Sequence, residues 1–345
     1  MSACVARRIE DIELRVQREL AALPRDKPAV ALPALLSDWT HDANWVAAVR
    51  ELPSPQRRDW LARVGAAAFA NDVGGYASYL RKLAGPLQRL WPADAMEEIF
   101  SRHTQWLLAN LSDSLDFFYG QFDELLNDVT IKGEEHLRSA LADGRGAIVC
   151  AAHQSHPGFA FFHPAWKELK ISTVANLADR RPPNSTSFLN GLEKRVELLP
   201  TTPAAIRPML ARLKSGGCVA IYSDYLYPGT PGTLSALLGG PVLVASAAVS
   251  VALRTGATVI PLAVARNWPP EDGGVEVRFF PPLPLAELDP RAPQSHEMAA
   301  LLFGLAIEGL IRRNPSVWRL WAALRHRWRL GREAAQQATS SEAAG

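Results

Sequence analysis

An α/β sheet flanked by helices and preceded by a helical extension is the architecture this sequence predicts. Three observations lead to it. Beyond Val129, apolar runs of strand length alternate with stretches of helix length, an order that builds a sheet covered on both faces. The run Ala147 to Ala152 comes after the turn Asp143-Gly144-Arg145-Gly146 and carries no polar residue, as a buried strand requires. Before about residue 125, apolar residues instead recur every three or four positions between proline-bearing breaks.

The extension, residues 1–125, is read as helices from Ile9 to Leu23, Trp45 to Leu52 and Arg58 to Ala70. A longer amphipathic stretch over residues 95–126, carrying Ile99, Trp106, Leu107, Leu111, Leu115 and Phe118, is expected to break near Ser112. Such apolar faces need a partner, so the extension is expected to pack on the α/β core. The core, residues 126–330, opens with a helix from Gly133 to Ala142 and the Ala147 strand. Helices are expected over residues 160–169, 187–194, 203–214 and 245–254, with strands at 171–175, 218–223 and 258–265. Val275 to Phe280 alternates like an edge strand, and Ser295 to Arg313 reads as a closing helix. Residues 331–345, rich in Ala, Ser, Gln and Glu, are expected to form a flexible tail.

The bulk numbers exclude several classes. A chain of 345 residues with 48% apolar and 21% charged side chains buries a sizeable core, and a net charge of +2 gives no electrostatic basis for nucleic-acid binding. Cys4, Cys150 and Cys218 form neither a disulfide framework nor a zinc pattern, which points to a reducing, cytoplasmic setting. Charges interrupt the first twenty or so residues where a signal peptide would need an apolar run. The apolar stretch from Pro241 to Leu253 is well short of the roughly 20 residues of a membrane helix. No G-x-S-x-G elbow is present, and the Gly144-Arg145-Gly146 turn precedes its strand, so neither a serine hydrolase nor a dinucleotide fingerprint fits.

Several blocks occur in an order that carries a resemblance. IKGEEHLRSALADGRGAIVCAAH ends at His153, RRPPN holds Arg181, and LKSGGCVAIYSDYLYPGTPGTLSALLGGPV holds Asp224, Gly239 and Pro241. ASAAVSVALRTGATVIPLAVAR and IEGLIRRNPSVWRLWAALRHRW come after them. From about Thr130 to Arg329 the chain resembles the lipid A late acyltransferases, the lauroyl and myristoyl transferases of the lysophospholipid-acyltransferase-like superfamily. The resemblance implies a glycerol-3-phosphate acyltransferase-like sheet, with His153 at the catalytic histidine and Arg181 and Arg195 facing donor or acceptor. With His156, Gly158, Tyr225 and Arg266, the two arginines make up the substrate-binding set expected around His153 and Asp224.

The sequence departs from that family at one place. Its motif is H-x4-D or H-x4-E, and the fifth residue after His153 is Gly158, which is expected to open space beside the histidine. AAHQSHPGFAFFH admits three readings. In the first, His153 is a general base whose orienting carboxylate comes from Asp224, since both close apolar strands and sheets of this kind place their sites at the carboxyl ends. In the second, the fold is kept without catalysis and binds an acyl chain or carrier. In the third, His153, His156 and His163 contribute to a metal site, at a spacing that matches no zinc pattern. The bland alternatives are a structural histidine, a turn-capping Asp224 and solvated arginines.

The first reading implies transfer of an acyl group from an acyl carrier protein or acyl-coenzyme A to a hydroxyl or amine on a small-molecule or lipid acceptor, with no cofactor and no resident metal. Backbone N–H groups near Gly158 are candidate oxyanion donors. The Trp318 to Arg329 segment interleaves tryptophan with arginine and is expected either to touch a membrane peripherally or to serve as packing.

Overall fold

The computed structural model describes residues 3–119, 123–156, 158–161, 163, 168–174, 196–227, 229–266 and 274–344. Seven strands form one sheet: β1 (Val129–Lys132), β2 (Ala147–Ala151), β3 (Ile171–Val174), β4 (Val196–Leu199), β5 (Cys218–Tyr222), β8 (Thr258–Arg266) and β9 (Val275–Phe279). They lie in the order β1-β9-β8-β2-β5-β3-β4. All neighbours are parallel except β8 and β9. A separate antiparallel hairpin, β6 (Gly232–Leu237) and β7 (Gly240–Ala245), carries the chain away from the sheet and back.

Burial explains the order. β2 is buried along its whole length and β8 along nearly all of it, so both sit centrally, whereas β1 alternates half-buried and exposed positions at the rim. Val275–Phe279 is therefore not an edge: β1 pairs outside it. The turn into β2 depends on Gly146, whose φ of +73° lies in the left-handed region. A Cβ there would stand 2.7 Å from Leu213 O, so a larger residue is excluded on both counts.

The two faces of the sheet bury different cores. Ile148 and Cys150 of β2 join a cluster that runs through Trp39, Trp106, Phe303 and Trp318, while Val149 and Ala151 join one with Phe117, Phe159, Ile260 and Val277. The N-terminal helices and the sheet thus share one hydrophobic core. The helix Ala93–Phe118 runs unbroken through Ser112, because the polar groups on that stretch are spent on partners. Ser112 Oγ accepts from Arg57 Nε at 2.9 Å, and Asp116 takes Ser54 Oγ at 2.7 Å together with the Arg57 guanidinium. At the other end of the chain, helix Leu324–Ala344 occupies the stretch expected as a tail, and Trp328 Nε1 donates to Leu237 O at 2.9 Å. The segment 187–194, expected as a helix, lies outside the described residues.

The charged tie between the extension and the sheet is Asp113. Its carboxylate receives Arg58 NH2 at 3.0 Å and Arg266 through Nε at 2.8 Å and NH2 at 3.1 Å, all of them buried. Burial pushes this carboxyl up, yet the charges of Arg266 and Arg58 outweigh it and hold the group below its usual value. Asp113→Ala leaves two buried guanidinium groups without their anion, and a loss of about 3–5 kcal/mol of stability is expected in denaturant unfolding. An unchanged unfolding midpoint contradicts this role.

Candidate active site

Strand register brings His153 and Asp224 together. In the parallel pair β2–β5, Ala151 lies opposite Tyr222, and each side chain of interest stands two residues beyond its strand. Ser223 N donates to Ala151 O at 3.1 Å, so the ladder continues past the strand ends and fixes the spacing. His153 Nδ1 donates to Asp224 Oδ1 at 2.6 Å. Asp224 Oδ2 accepts the backbone N–H of His153 at 2.6 Å and Trp318 Nε1 at 2.8 Å. With Nδ1–H held by the carboxylate, Nε2 is the ring nitrogen left to take up or release a proton.

Asp224 is fully buried, while the His153 side chain retains 28% of its exposure. The carboxylate is thus sealed from water, and the imidazole it binds is the accessible member of the pair. Burial drives the Asp224 carboxyl up, but the charge and hydrogen bond of His153, the charge of Arg327 and the Trp318 N–H more than compensate, so the group lies below its usual range and is ionised. Arg327 is itself buried, and its NH1 and NH2 make no hydrogen bond among the described residues.

A cavity of about 360 Å³ lies beside Tyr222 and Tyr225, neighbours of the pair. Its wall begins at Tyr222 and Tyr225, whose rings lie 4.6 and 6.2 Å from the His153 ring, centroid to centroid. It continues between helices Ile206–Lys214 and Ser246–Thr255 along Met209, Leu210 and Val251. Aliphatic and aromatic side chains predominate, as an apolar chain requires.

The turn after His153 is occupied by protein. His156 is buried, stacks on Phe117 at 4.3 Å with 11° between the planes, and accepts Gly158 N–H on Nδ1 at 3.1 Å. Burial and the Arg319 charge lower its pKa to about 3, so it is neutral. At Gly158 a Cβ would stand 2.5 Å from Phe117 Cε1 and 2.9 Å from His156 Nδ1.

The family model described as bacterial lipid A biosynthesis acyltransferase matches residues 24–329. The chain belongs to that family. Among curated proteins none matches it. Among solved structures, the 1-acyl-sn-glycerophosphate acyltransferase PlsC from Thermotoga maritima is 17% identical with a TM-score of 0.34, over 73% of this chain and 96% of that one.

Gly158 stands where the resemblance to the family leads to an acid being expected. The space is not open, as the sequence suggested, but filled by Phe117 from the helical extension. The Gly158 N–H, a candidate oxyanion donor in the sequence, is bonded to His156. Arg266, expected to face substrate, is buried against Asp113 and over the Phe159 ring at 5.1 Å. Its backbone N–H fixes Ser155 Oγ at 2.8 Å, so it holds the turn after His153 from behind. Tyr225 lines the cavity, and Arg181 and Arg195 lie outside the described residues. Among the described residues, no group of three or more His, Cys, Asp or Glu is gathered as metal ligands.

Sequence reading missed Trp318 and Phe117. Trp318, Trp321 and Trp328 are all buried, as the packing alternative for that segment requires, and one of them reaches Asp224. Among the described residues no helix is long and apolar enough to cross a membrane.

Gly158→Ala forces a methyl group into Phe117 and is expected to cost about 1–3 kcal/mol in denaturant unfolding. The same change in a Phe117→Ala background should cost much less. Equal costs in both backgrounds contradict the steric account.

Proposed function

We propose that this acyltransferase moves an acyl group from the thioester of an acyl carrier protein or coenzyme A to a hydroxyl or amine, with His153 as general base and Asp224 as its orienting carboxylate. The observation that carries the reading is the 2.6 Å contact between His153 Nδ1 and a fully buried, ionised Asp224, beside an apolar cavity. In the reaction, Nε2 removes the acceptor's proton as its oxygen or nitrogen attacks the thioester carbonyl. Asp224 stabilises the imidazolium that forms. Collapse of the tetrahedral intermediate breaks the carbon–sulfur bond, and the leaving thiolate recovers the proton from His153. No acyl-enzyme is needed.

The cavity supports the same reading because it starts at the histidine's neighbours. An acyl chain lodged along Met209, Leu210 and Val251 would leave its thioester at Tyr222 and Tyr225, the first of which packs against the imidazole. Buried Cys150 and Cys218 are poor candidates for a covalent route, since burial pushes each thiol up to about 12.

His153→Ala is expected to lower transfer from carrier-bound or coenzyme A thioesters by about 10²- to 10⁴-fold without unfolding the protein. Asp224→Asn should lose nearly as much, and the double variant little more than either single. A His153→Ala enzyme as fast as the parent across a panel of donors and acceptors contradicts the general-base role. A parent that binds acyl carriers and turns over none contradicts catalysis itself.

A further inference from the structure

The segment between helix Pro293–Arg313 and helix Leu324–Ala344 touches both members of the dyad and the N-terminal helices at once. Trp318 Nε1 donates to Asp224 Oδ2 at 2.8 Å, and the next residue's backbone N–H, from Arg319, donates to His153 O at 2.8 Å. On its other side, Ser316 O accepts from His103 Nδ1 at 3.1 Å, and Tyr76 OH meets His103 Nε2 at 3.2 Å. Burial lowers the His103 pKa to about 4, so this ring is neutral, donating through one nitrogen and accepting through the other. Trp318 packs edge-on against Trp321 at 5.0 Å, and Trp321 packs edge-on against Phe100 at 5.4 Å. Trp321 Nε1 closes the turn by donating to Pro315 O at 2.8 Å.

We propose that Trp318 is a positioning residue for acyl transfer, aiming Asp224 at His153 from a strut, residues 314–319, that the N-terminal helices hold in place. The inference rests on the general-base reading of His153.

The geometry makes the role specific. A carboxylate held only by His153 is free to turn about its Cβ–Cγ bond. Here Oδ2 is held by the indole N–H and the His153 backbone N–H, and this leaves Oδ1 aimed at Nδ1. Because Asp224 is fully buried, water does not replace a lost donor at no cost. Trp318 is itself fully buried between Asp224 and Trp321, so its ring plane is set by packing and its N–H points one way. The strut also supplies a reason for the extension: Phe100 and His103, on helix Ala93–Phe118, brace it from the side away from the sheet.

Trp318→Phe keeps an aromatic ring against Trp321 and removes only the donor. With the full-length enzyme and a coenzyme A or carrier-bound thioester, kcat is expected to fall about 10- to 100-fold while KM is unchanged, the loss set by one hydrogen bond to a buried charge. In an Asp224→Asn background the same change should cost less than about twofold, since its effect passes through the carboxylate. Loss of activity that multiplies fully with Asp224→Asn indicates a merely structural residue and overturns the proposal. Full activity of Trp318→Phe in an otherwise unaltered enzyme overturns it as well, and leaves the general-base reading standing. Should Trp318→Phe fail to fold, His103→Gln is read in the same cycle, and a kcat loss confined to the Asp224-containing background supports the strut. An inactive parent, or a His153→Ala variant as active as the parent, removes the general-base reading and the proposal with it.

Discussion

A carboxylate fully removed from water is the constraint on which the rest of this structure depends. Asp224 is ionised only because His153 Nδ1, the His153 backbone N–H and the Trp318 indole converge on its two oxygens, with the Arg327 charge nearby. Isolated, such an anion would be neutralised by protonation at several kcal/mol. The two donor residues and the charge come from three parts of the chain: His153 from the end of β2, Trp318 from the turn before the last helix, and Arg327 from that helix itself. The sheet register, the closing segment and the last helix therefore have to be correct together for the dyad to exist.

The helical extension is explained by the same requirement. It packs on the segment that precedes the last helix, contributes Asp113 to hold Arg266 behind the His153 turn, and contributes Phe117 to fill the space beside Gly158. In a chain with an acid five residues after its histidine, the orienting charge is local in sequence. Here the carboxylate bonded to His153 stands at the end of the neighbouring strand, and the turn after His153 holds a stack of His156 on Phe117. The two features are complementary, because a side chain at 158 and Phe117 cannot occupy the same space.

Much of this was legible in the sequence where burial dictates residue type. The central strands read correctly because β2, β5 and β8 are buried on both faces and need continuous apolar runs. β1 and β4 were missed because VTIK and VELL are only four residues long and carry rim-facing polar residues. The β6–β7 hairpin was missed because Pro241 to Leu253 is a single apolar run, although it holds a strand and then a helix. Periodicity alone does not divide such a run. Asp224 was legible as a strand-terminal acid, matching His153 on the neighbouring strand. Trp318 was not, since 94 residues separate it from Asp224 and its setting among arginines resembles a surface. The one clue to Phe117 was glycine standing where an acid was expected, which marks a place taken by something else.

The central claim is that Asp224 holds the His153 imidazole in one tautomer with Nδ1–H bonded and Nε2 ready to accept a proton. Nitrogen-15 and proton NMR of the histidine rings tests it without any substrate. A strongly downfield Nδ1–H resonance assigned to His153, lost on Asp224→Asn and retained on Gly158→Ala, is the predicted result. A His153 ring with its proton on Nε2, or an Nδ1–H signal indifferent to Asp224→Asn, would contradict the account.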